Sequence, residues 1–359
     1  MPLNSNDFRY SILKWYDQVK RPLRWRDTSN PYIIWISEVM LQQTRVDQVT
    51  PFFERFIQAF PTIESLATAD LQDVLMLWEG LGYYSRARNL HQSAKIILDT
   101  HNGEIPSDWD KIKNLKGIGD YTAAAVLSIA YKKPYGVVDG NVIRVISRYL
   151  GITEDVTKAS VKKIIQKTMN ELIDTDRPGE FNQGVMELGS LICTPIKPKC
   201  EICPISTNCL AYNHVQTDII PYKPKKKQVP HFDIAVGIIM GPDGKILISK
   251  RPDNVMLGGL WEFPGGKIES GESLVQCLER ELNEELNITI ENITAFIAIK
   301  HAYSHFKVTI HAFTCTIKSG IPHNISSTEL RWISINELPN YPFPKANRKI
   351  SDKLLTINE

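Results

Sequence analysis

The sequence lacks the features that mark membrane proteins and secreted proteins. No apolar run approaches the roughly 18 residues that a bilayer-spanning helix needs, and the N-terminus lacks the apolar stretch of a signal peptide. An excess of one charge is also missing: 42 Lys and Arg residues stand against 40 Asp and Glu residues, which excludes a histone-like basic coat. Internal repeats and low-complexity tracts are missing as well. With 43% hydrophobic residues, the composition predicts a globular cytoplasmic protein.

The length of 359 residues predicts two domains rather than one core. We expect a linker at 221–230, where prolines interrupt regular structure and lysines favour contact with water. Before the linker, apolar residues recur every three to four positions, as helices require, and after it they form runs typical of strands. The sequence therefore predicts a multidomain protein with an all-α domain over 1–220 and an α+β domain over 231–359.

Periodicity also predicts individual elements. Helices are expected at 8–19, 33–44, 70–78, 121–130, 142–150 and 160–172. In the second domain, strands are expected at 233–240, 245–250, 296–300 and 307–315, with a helix at 272–285. A Gly-Pro-Asp-Gly turn joins the first two strands.

Most of the cysteines crowd into one short segment. The clustered residues are Cys193, Cys200, Cys203 and Cys209. In a reducing compartment such a cluster indicates a metal site rather than a set of disulfides. Four thiolates suit either Zn²⁺ or an iron–sulfur cluster, and the spacing alone leaves both open.

Two glycines, Gly117 and Gly119, form a tight turn that opens onto a predicted helix. Glycine lets a phosphate approach the backbone, and the free N–H groups at a helix start attract the anion. Alone, this pattern is more typical of an ordinary connection between two helices. Further along the chain, however, Asp139 stands beside a glycine at another predicted helix start, and the cysteine cluster follows.

Together, the hairpin, the downstream aspartate and the cysteine cluster resemble the helix–hairpin–helix DNA glycosylases of the endonuclease III superfamily. The resemblance covers residues 5–215. It implies that the four cysteines bind a [4Fe–4S] cluster and that the partner is double-stranded DNA, with the glycine hairpin on a DNA phosphate. It also implies a monomer.

One position distinguishes two chemistries within this superfamily. Members that cut the DNA strand carry a lysine nucleophile where this chain has Tyr121, so strong lyase activity and a pyrimidine-specific enzyme are both disfavoured. The segments 24–26, 31–44, 80–90 and 181–189 resemble the adenine-specific, MutY-type branch. This resemblance implies removal of adenine mispaired with 8-oxoguanine, or with guanine, in duplex DNA.

Removing adenine requires an acid that protonates the base and a carboxylate that stabilises the cationic sugar. Glu38 lies in an apolar helical run, where desolvation would raise its pKa, so it is the predicted acid, and Asp139 is the predicted carboxylate. Taken alone, they would be a surface glutamate and a helix N-cap. The resemblance adds supporting roles: Tyr121 and Asn141 assist the sugar and the water, Arg26, Leu41 and Gln183 line the adenine pocket, and Gln43 and Tyr83 intercalate in the base stack.

The second domain carries two further motifs. Ser304, with Tyr303 and His305, resembles the loop that reads 8-oxoguanine, where a hydroxyl can donate to O8 and accept from N7–H. Residues 266–288 fit the Nudix box except at position 287, and three of its acids suit a hard cation such as Mg²⁺. These acids are Glu281, Glu284 and Glu285. Two alternatives follow: the helix is a structural relic, or Nudix hydrolysis of oxidised nucleotides is the main reaction and the helical half only binds DNA.

Overall fold

The structure, a computed structural model, describes residues 5–224, 229–303 and 305–358. It forms two compact units. The first contains the residues up to Ala67 and those from Gln92 to the linker, and the second contains Thr68–His91 and the residues after the linker. Within these ranges, no helix has the length and apolar character needed to cross a bilayer.

The chain before the linker is helical. Its elements are α1 (Ser5–Val19), α2 (Pro31–Leu41), α3 (Val46–Ala59), α4 (Ile63–Thr68), α5 (Leu71–Trp78), α6 (Ser85–Thr100), α7 (Trp109–Lys113), α8 (Asp120–Ile129), α9 (Gly140–Leu150), α10 (Ala159–Leu172), α11 (Pro178–Leu191) and α12 (Leu210–Asn213). Short 3₁₀ turns lie at Cys200–Ile202 and Ser206–Asn208. The all-α prediction is confirmed, with most helix ends within one to three residues of those expected.

Local sequence explains how α2 enters the interior. Asn30 caps the helix by accepting a hydrogen bond from Tyr32 N at 2.9 Å, and Pro31 occupies the first turn, where its missing N–H costs nothing. Nearly every residue from Tyr32 to Met40 is buried. A helix that is apolar on all sides has no solvent face, so its one acidic residue, Glu38, is carried into the core.

The helices α1, α9, α10 and α11 pack around one core that includes Phe8, Ile146 and Phe181. Gly189 on α11 marks a close approach, because a Cβ atom there would lie 2.6 Å from Cβ of Asn141. The start of α9 is thereby held directly against α11.

The second unit contains a mixed sheet. Its elements are β1 (His231–Met240), β2 (Ile246–Lys250), β3 (Trp261–Glu262), β4 (Gly265–Lys267), α13 (Leu274–Leu286), β5 (Thr289–Ala302), β6 (Lys307–Ser319), β7 (Glu329–Ile333), a 3₁₀ turn at Ile335–Asn340 and α14 (Lys345–Asn358). The strand order is β3-β2-β1-β6-β5, with β4 on β1 and β7 on β2, and only β1 and β6 run parallel in the described sheet. Successive β1 residues point to opposite faces of the sheet. Ile238 enters the core that includes residues of α14, and Ile239 enters the core that includes residues of α13. The α+β prediction is confirmed.

The segment Thr68–His91 packs with this second unit. Gln72 accepts a hydrogen bond from Trp261 Nε1 at 2.9 Å and donates to the Gly259 carbonyl at 3.1 Å. Glu79 forms a bidentate pair with Arg348 on α14. Periodicity correctly predicted a helix in this segment, whereas long-range packing of this kind leaves no periodic signal. The predicted domain limits, 1–220 and 231–359 with a linker between them, stay a prediction.

Candidate active site

A cavity of about 430 Å³ in the first unit gathers the predicted catalytic residues and adenine-pocket residues. The residues concerned are Arg26, Glu38, Leu41, Tyr121, Asp139, Asn141 and Gln183. They come from the loop before α2, from α2 itself, from the starts of α8 and α9, and from α11. A polar cavity of this volume falls in the range of ligand-binding pockets.

Glu38 is a buried acid in this cavity, with 5% of its surface exposed. The Tyr121 hydroxyl donates to Glu38 Oε2 at 2.6 Å. Burial raises the pKa of Glu38 to about 7; the Tyr121 hydrogen bond opposes this rise, as does the charge of Arg26, while Asp139 adds to it. A carboxyl group with such a pKa is partly protonated at neutral pH, which a general acid requires.

Asp139 is held as a carboxylate acceptor at the start of α9. Its Oδ1 accepts from Val142 N at 2.7 Å, and its Oδ2 accepts from Asn141 Nδ2 at 2.8 Å. Burial raises the pKa of Asp139, and these hydrogen bonds oppose that rise. Asp139 is thus a helix N-cap and a cavity-lining residue at once, so the two sequence interpretations coexist.

The side chain of Asn141 is held in place by Arg144. Arg144 Nη2 donates to Asn141 Oδ1 at 2.9 Å, and Arg144 Nε donates to the Cys193 carbonyl at 2.6 Å. Because its oxygen is engaged by the arginine, the Asn141 amide presents its NH₂ group to Asp139.

The sequence analysis missed two sets of hydrogen bonds that involve residues lining this cavity. Tyr16 donates to Gln183 Oε1 at 2.6 Å, and the buried Glu187 accepts from Arg26 at 2.8 Å and from Arg21 at 2.6 Å. The one available sequence signal was spacing, since Gln183 and Glu187 are four residues apart on one helix face.

The glycine hairpin lies between α7 and α8, as predicted. Gly117 has φ of +76°, a backbone conformation that favours glycine. Gly119 is the N-cap of α8, and a Cβ atom added there would meet nothing within 4 Å. The helix start is therefore exposed and open to an anion.

The two predicted intercalating residues share an unusual backbone. Gln43, in the first unit, has φ of +60°, and Tyr83, in the second, has φ of +51°. Both side chains are exposed. Non-glycine residues seldom adopt this conformation, and where they do they concentrate at functional sites.

A second cavity, of about 460 Å³, lies wholly within the second unit. Tyr83 lines it together with Tyr303 and His305, the described residues of the predicted lesion-reading loop. Ser304 lies outside the described residues. The Tyr303 ring packs on Phe306, with centroids 4.8 Å apart, so this part of the cavity wall is aromatic.

The four clustered cysteines line one narrow cavity between α9, α11 and the 3₁₀ turns. None of the four forms a disulfide in the described structure, and Arg148 donates to Cys193 Sγ at 3.4 Å. Across the described ranges, no three Cys, His, Asp or Glu side chains converge as a site for one metal ion. Thiols spread around a cavity fit a larger, cysteine-bound iron–sulfur group.

The Nudix-box acids lie on α13, where Arg280 engages several of them. Its guanidinium pairs with Glu272 at 2.5 Å, Glu281 at 3.0 Å and Glu284 at 3.1 Å. Glu285 instead accepts from Gly265 N and from the Ser326 hydroxyl. At the position where the box expects glycine, Asn287 ends the helix with φ of +56°.

Three segments of the chain match known families. Residues 36–171 match the HhH-GPD superfamily of base excision DNA repair proteins. Residues 193–209 match the iron–sulfur binding domain of endonuclease III, and residues 235–353 match the NUDIX domain. The predicted helix–hairpin–helix fold, iron–sulfur loop and Nudix-like domain are confirmed.

Solved structures agree for the helical half. The chain is similar to a thermostable thymine-DNA glycosylase at 29% identity and a TM-score of 0.54, over 58% of this chain and 97% of that one. It is also similar to endonuclease III in a trapped covalent DNA intermediate, at 23% identity and a TM-score of 0.50, over 59% of this chain and 99% of that one. At that identity, the second likeness shows the fold alone.

Curated relatives are similar over most of the chain. The adenine DNA glycosylase of Mus musculus is 33% identical over 96% of this chain and 77% of its own length. Those of Schizosaccharomyces pombe and Buchnera aphidicola are 35% and 37% identical, over 92% and 85% of this chain and 86% and 85% of their own lengths. This chain belongs to the adenine DNA glycosylase family of enzymes.

Proposed function

We propose that the protein hydrolyses the N-glycosidic bond of adenine paired with 8-oxoguanine, or with guanine, in double-stranded DNA. The observation that carries the proposal is one cavity holding a buried acid, Glu38, and a hydrogen-bonded carboxylate, Asp139. These are the two groups that cleavage of a purine from deoxyribose requires.

The chemistry follows from the two environments. The Glu38 carboxyl gives its proton to adenine N7, the C1′–N9 bond breaks, and its electron pair leaves with the base. The Asp139 carboxylate stabilises the positive charge that develops on the sugar. Water then adds to C1′, guided by the Asn141 amide, and its proton returns to the Glu38 carboxylate.

Recognition of the base would use two other residues that line the same cavity, Gln183 and Leu41. The Gln183 amide can donate to a ring nitrogen and accept from the exocyclic amine of adenine, as amides do with this base. Tyr16 already donates to Gln183 Oε1 and so fixes which end of the amide is the oxygen. Leu41 supplies apolar contact for the flipped ring.

Strand cleavage is not expected, because Tyr121 stands where a Schiff-base lysine would be needed. Burial raises the pKa of its phenol well above the ordinary value, and the group is committed to Glu38. A neutral phenol cannot form the covalent sugar adduct through which lyases act.

The lesion would be read by the second unit. Its aromatic cavity brings Tyr83 together with Tyr303 and His305, so a wedge residue and two loop residues border one space. A base stacks favourably on such aromatic walls. We assign the discriminating hydroxyl to Ser304, next to Tyr303 in the chain.

The iron–sulfur group would be a [4Fe–4S] cluster held by Cys193, Cys200, Cys203 and Cys209. When bound, it would supply a structural cross-link within its loop, which packs beside α9 and α11. Total iron and acid-labile sulfide close to four per chain are expected, and stoichiometric zinc would contradict the assignment.

A divalent cation such as Mg²⁺ at Glu281, Glu284 and Glu285 stays a prediction. It would have to replace the contacts that Arg280 makes with two of these acids. Calorimetric titration with Mn²⁺ should show heats that the double variant Glu284→Gln/Glu285→Gln lacks; identical heats would make the helix a structural relic.

One experiment separates the proposed reaction from nucleotide hydrolysis. The protein is incubated under single-turnover conditions with duplexes containing A opposite 8-oxoguanine, A opposite G and A opposite T, and separately with 8-oxo-dGTP. We expect abasic product from the first two duplexes, faster from the first. Hydrolysis of 8-oxo-dGTP without excision from any duplex would overturn the proposal.

A further inference from the structure

The wall of the cavity includes a buried carboxylate to which sequence reasoning gave no role. Glu187 lies on α11 with 1% of its surface exposed. Burial raises its pKa, but hydrogen bonds from Arg21 and Arg26 outweigh this effect, so the pKa of Glu187 is lowered overall. The group is therefore an anion inside the protein.

Both arginines grip this carboxylate with two nitrogens. Arg21 donates through Nε at 2.6 Å and Nη2 at 2.7 Å. Arg26 donates through Nη2 at 2.8 Å and Nη1 at 3.3 Å. Bidentate pairing fixes the plane of a guanidinium as well as its distance, so Glu187 determines how Arg26 enters the adenine pocket.

Arg26 acts on the pocket in two opposing ways. It lines the cavity and can contact the base, yet its positive charge lowers the pKa of Glu38 and so disfavours the protonated acid. With two arginines and one carboxylate, the cluster carries a net charge of +1, and without the carboxylate it would carry +2.

We propose that Glu187 is a positioning residue for base excision: it orients Arg26 in the adenine pocket and offsets its charge, so that Glu38 keeps the proton it must deliver. The inference rests on the proposed glycosylase reaction. Glu187 also lines the cavity, and the effect proposed for it is the one it exerts through Arg26.

Charged and titratable groups from several elements face Glu38. Tyr121 on α8, Asp139 at the start of α9 and Arg26 in the loop before α2 act on it directly. Further around the same cavity lie Arg21, Arg45, Asp47 and Glu187. Within this set, Glu187 is the acid that accepts hydrogen bonds from Arg26, so a change at Glu187 alters the orientation and the charge balance of that arginine.

The test is the pH dependence of single-turnover excision of A opposite 8-oxoguanine. Because Glu38 must be protonated to act, the rate falls as pH rises through its pKa. Glu187→Gln leaves an uncompensated positive charge, which favours the ionised form of Glu38, so the alkaline limb should move to lower pH by about half a pH unit or more. A purely structural role would lower the rate at every pH and leave the limb in place.

Charge variants make the result independent of folding damage. Arg21→Gln removes one positive charge and should move the limb to higher pH, the opposite direction. Combining it with Glu187→Gln should bring the limb back toward wild type, and Glu187→Asp should keep it there. Glu171→Gln is the matched control, because Glu171 sits in an exposed ion pair with Lys167 on α10.

The outcomes are distinct. Opposite shifts from Glu187→Gln and Arg21→Gln, with no shift in the control, support the inference. An unmoved limb in both variants overturns it while leaving the glycosylase proposal intact. If wild-type protein fails to excise adenine from any duplex, the proposed function itself fails, and the inference fails with it.

Discussion

The substitution Asp139→Asn removes the negative charge of the carboxylate while keeping nearly the same side-chain shape. Asparagine caps helices about as well as aspartate, and its Oδ1 can still accept from Val142 N, now at 2.7 Å. The cost to folding comes from the other oxygen, which accepts from Asn141 Nδ2 at 2.8 Å and would be replaced by an NH₂ group. Two NH₂ groups would then face each other without an acceptor, which costs about 1–3 kcal/mol of unfolding free energy.

The effect on catalysis should be much larger. A carboxylate about 4 Å from a unit positive charge contributes about 4 kcal/mol at an effective dielectric constant of about 20. That energy corresponds to roughly a thousandfold in rate. Because only the cationic transition state feels the charge, binding of the lesion duplex should change little.

The assay measures both quantities on the same protein. Single-turnover excision gives the rate, a gel or anisotropy titration gives the dissociation constant, and thermal unfolding gives stability. Asp155→Asn serves as control, because Asp155 is partly exposed, lies outside the cavity and accepts hydrogen bonds from Thr157 in a local turn. Excision within tenfold of wild type would refute the role of Asp139, whatever the stability shows.

Four further results are expected. Wild-type excision should decline above about pH 7, the pKa of Glu38, and Glu38→Gln should abolish it at every pH; a flat profile would contradict the acid role. Tyr121→Lys should give a borohydride-trapped covalent adduct with abasic DNA, and absence of adduct would mean the side chain does not reach C1′. Glu79→Gln should lower the free energy of unfolding by about 1–3 kcal/mol by leaving Arg348 unpaired, whereas Asp243→Asn in an exposed pair should change it by less than about 0.5 kcal/mol in a denaturation experiment. Ser304→Ala should reduce the preference for 8-oxoguanine over guanine by about 1–3 kcal/mol; an unchanged ratio of rates would place the lesion reader elsewhere.

Much of the fold followed from periodicity, and the departures have local causes. The helices match because their apolar faces repeat every three to four residues. The strand expected at 296–300 is part of a longer strand, Thr289–Ala302. Register shifts near Thr294 and Ala295 break the alternation on which the expectation relied, so only the C-terminal part of the strand was expected.

The site was predictable where one residue's own neighbours define its environment. Glu38 is an example, because the apolar residues around it in the chain indicate a helix that is buried on nearly all sides. The Glu187 cluster is the opposite case. Its partners, Arg21 and Arg26, are far away in sequence, and an isolated glutamate on an amphipathic helix gives no sign that two arginines converge on it.

In the proposed reaction, two carboxylic acids of similar intrinsic chemistry take different roles, and the position of each along its helix contributes to the difference. Glu38 sits in the middle of a helix, where every backbone N–H is already used, so burial dominates and its pKa rises to about 7. Asp139 sits at a helix start, where the free N–H of Val142 donates to its oxygen and opposes the rise in pKa that burial causes. In the proposed reaction, acid and carboxylate therefore differ in part because Glu38 lies in mid-helix, whereas backbone hydrogen bonding at the N-cap favours the ionised form of Asp139.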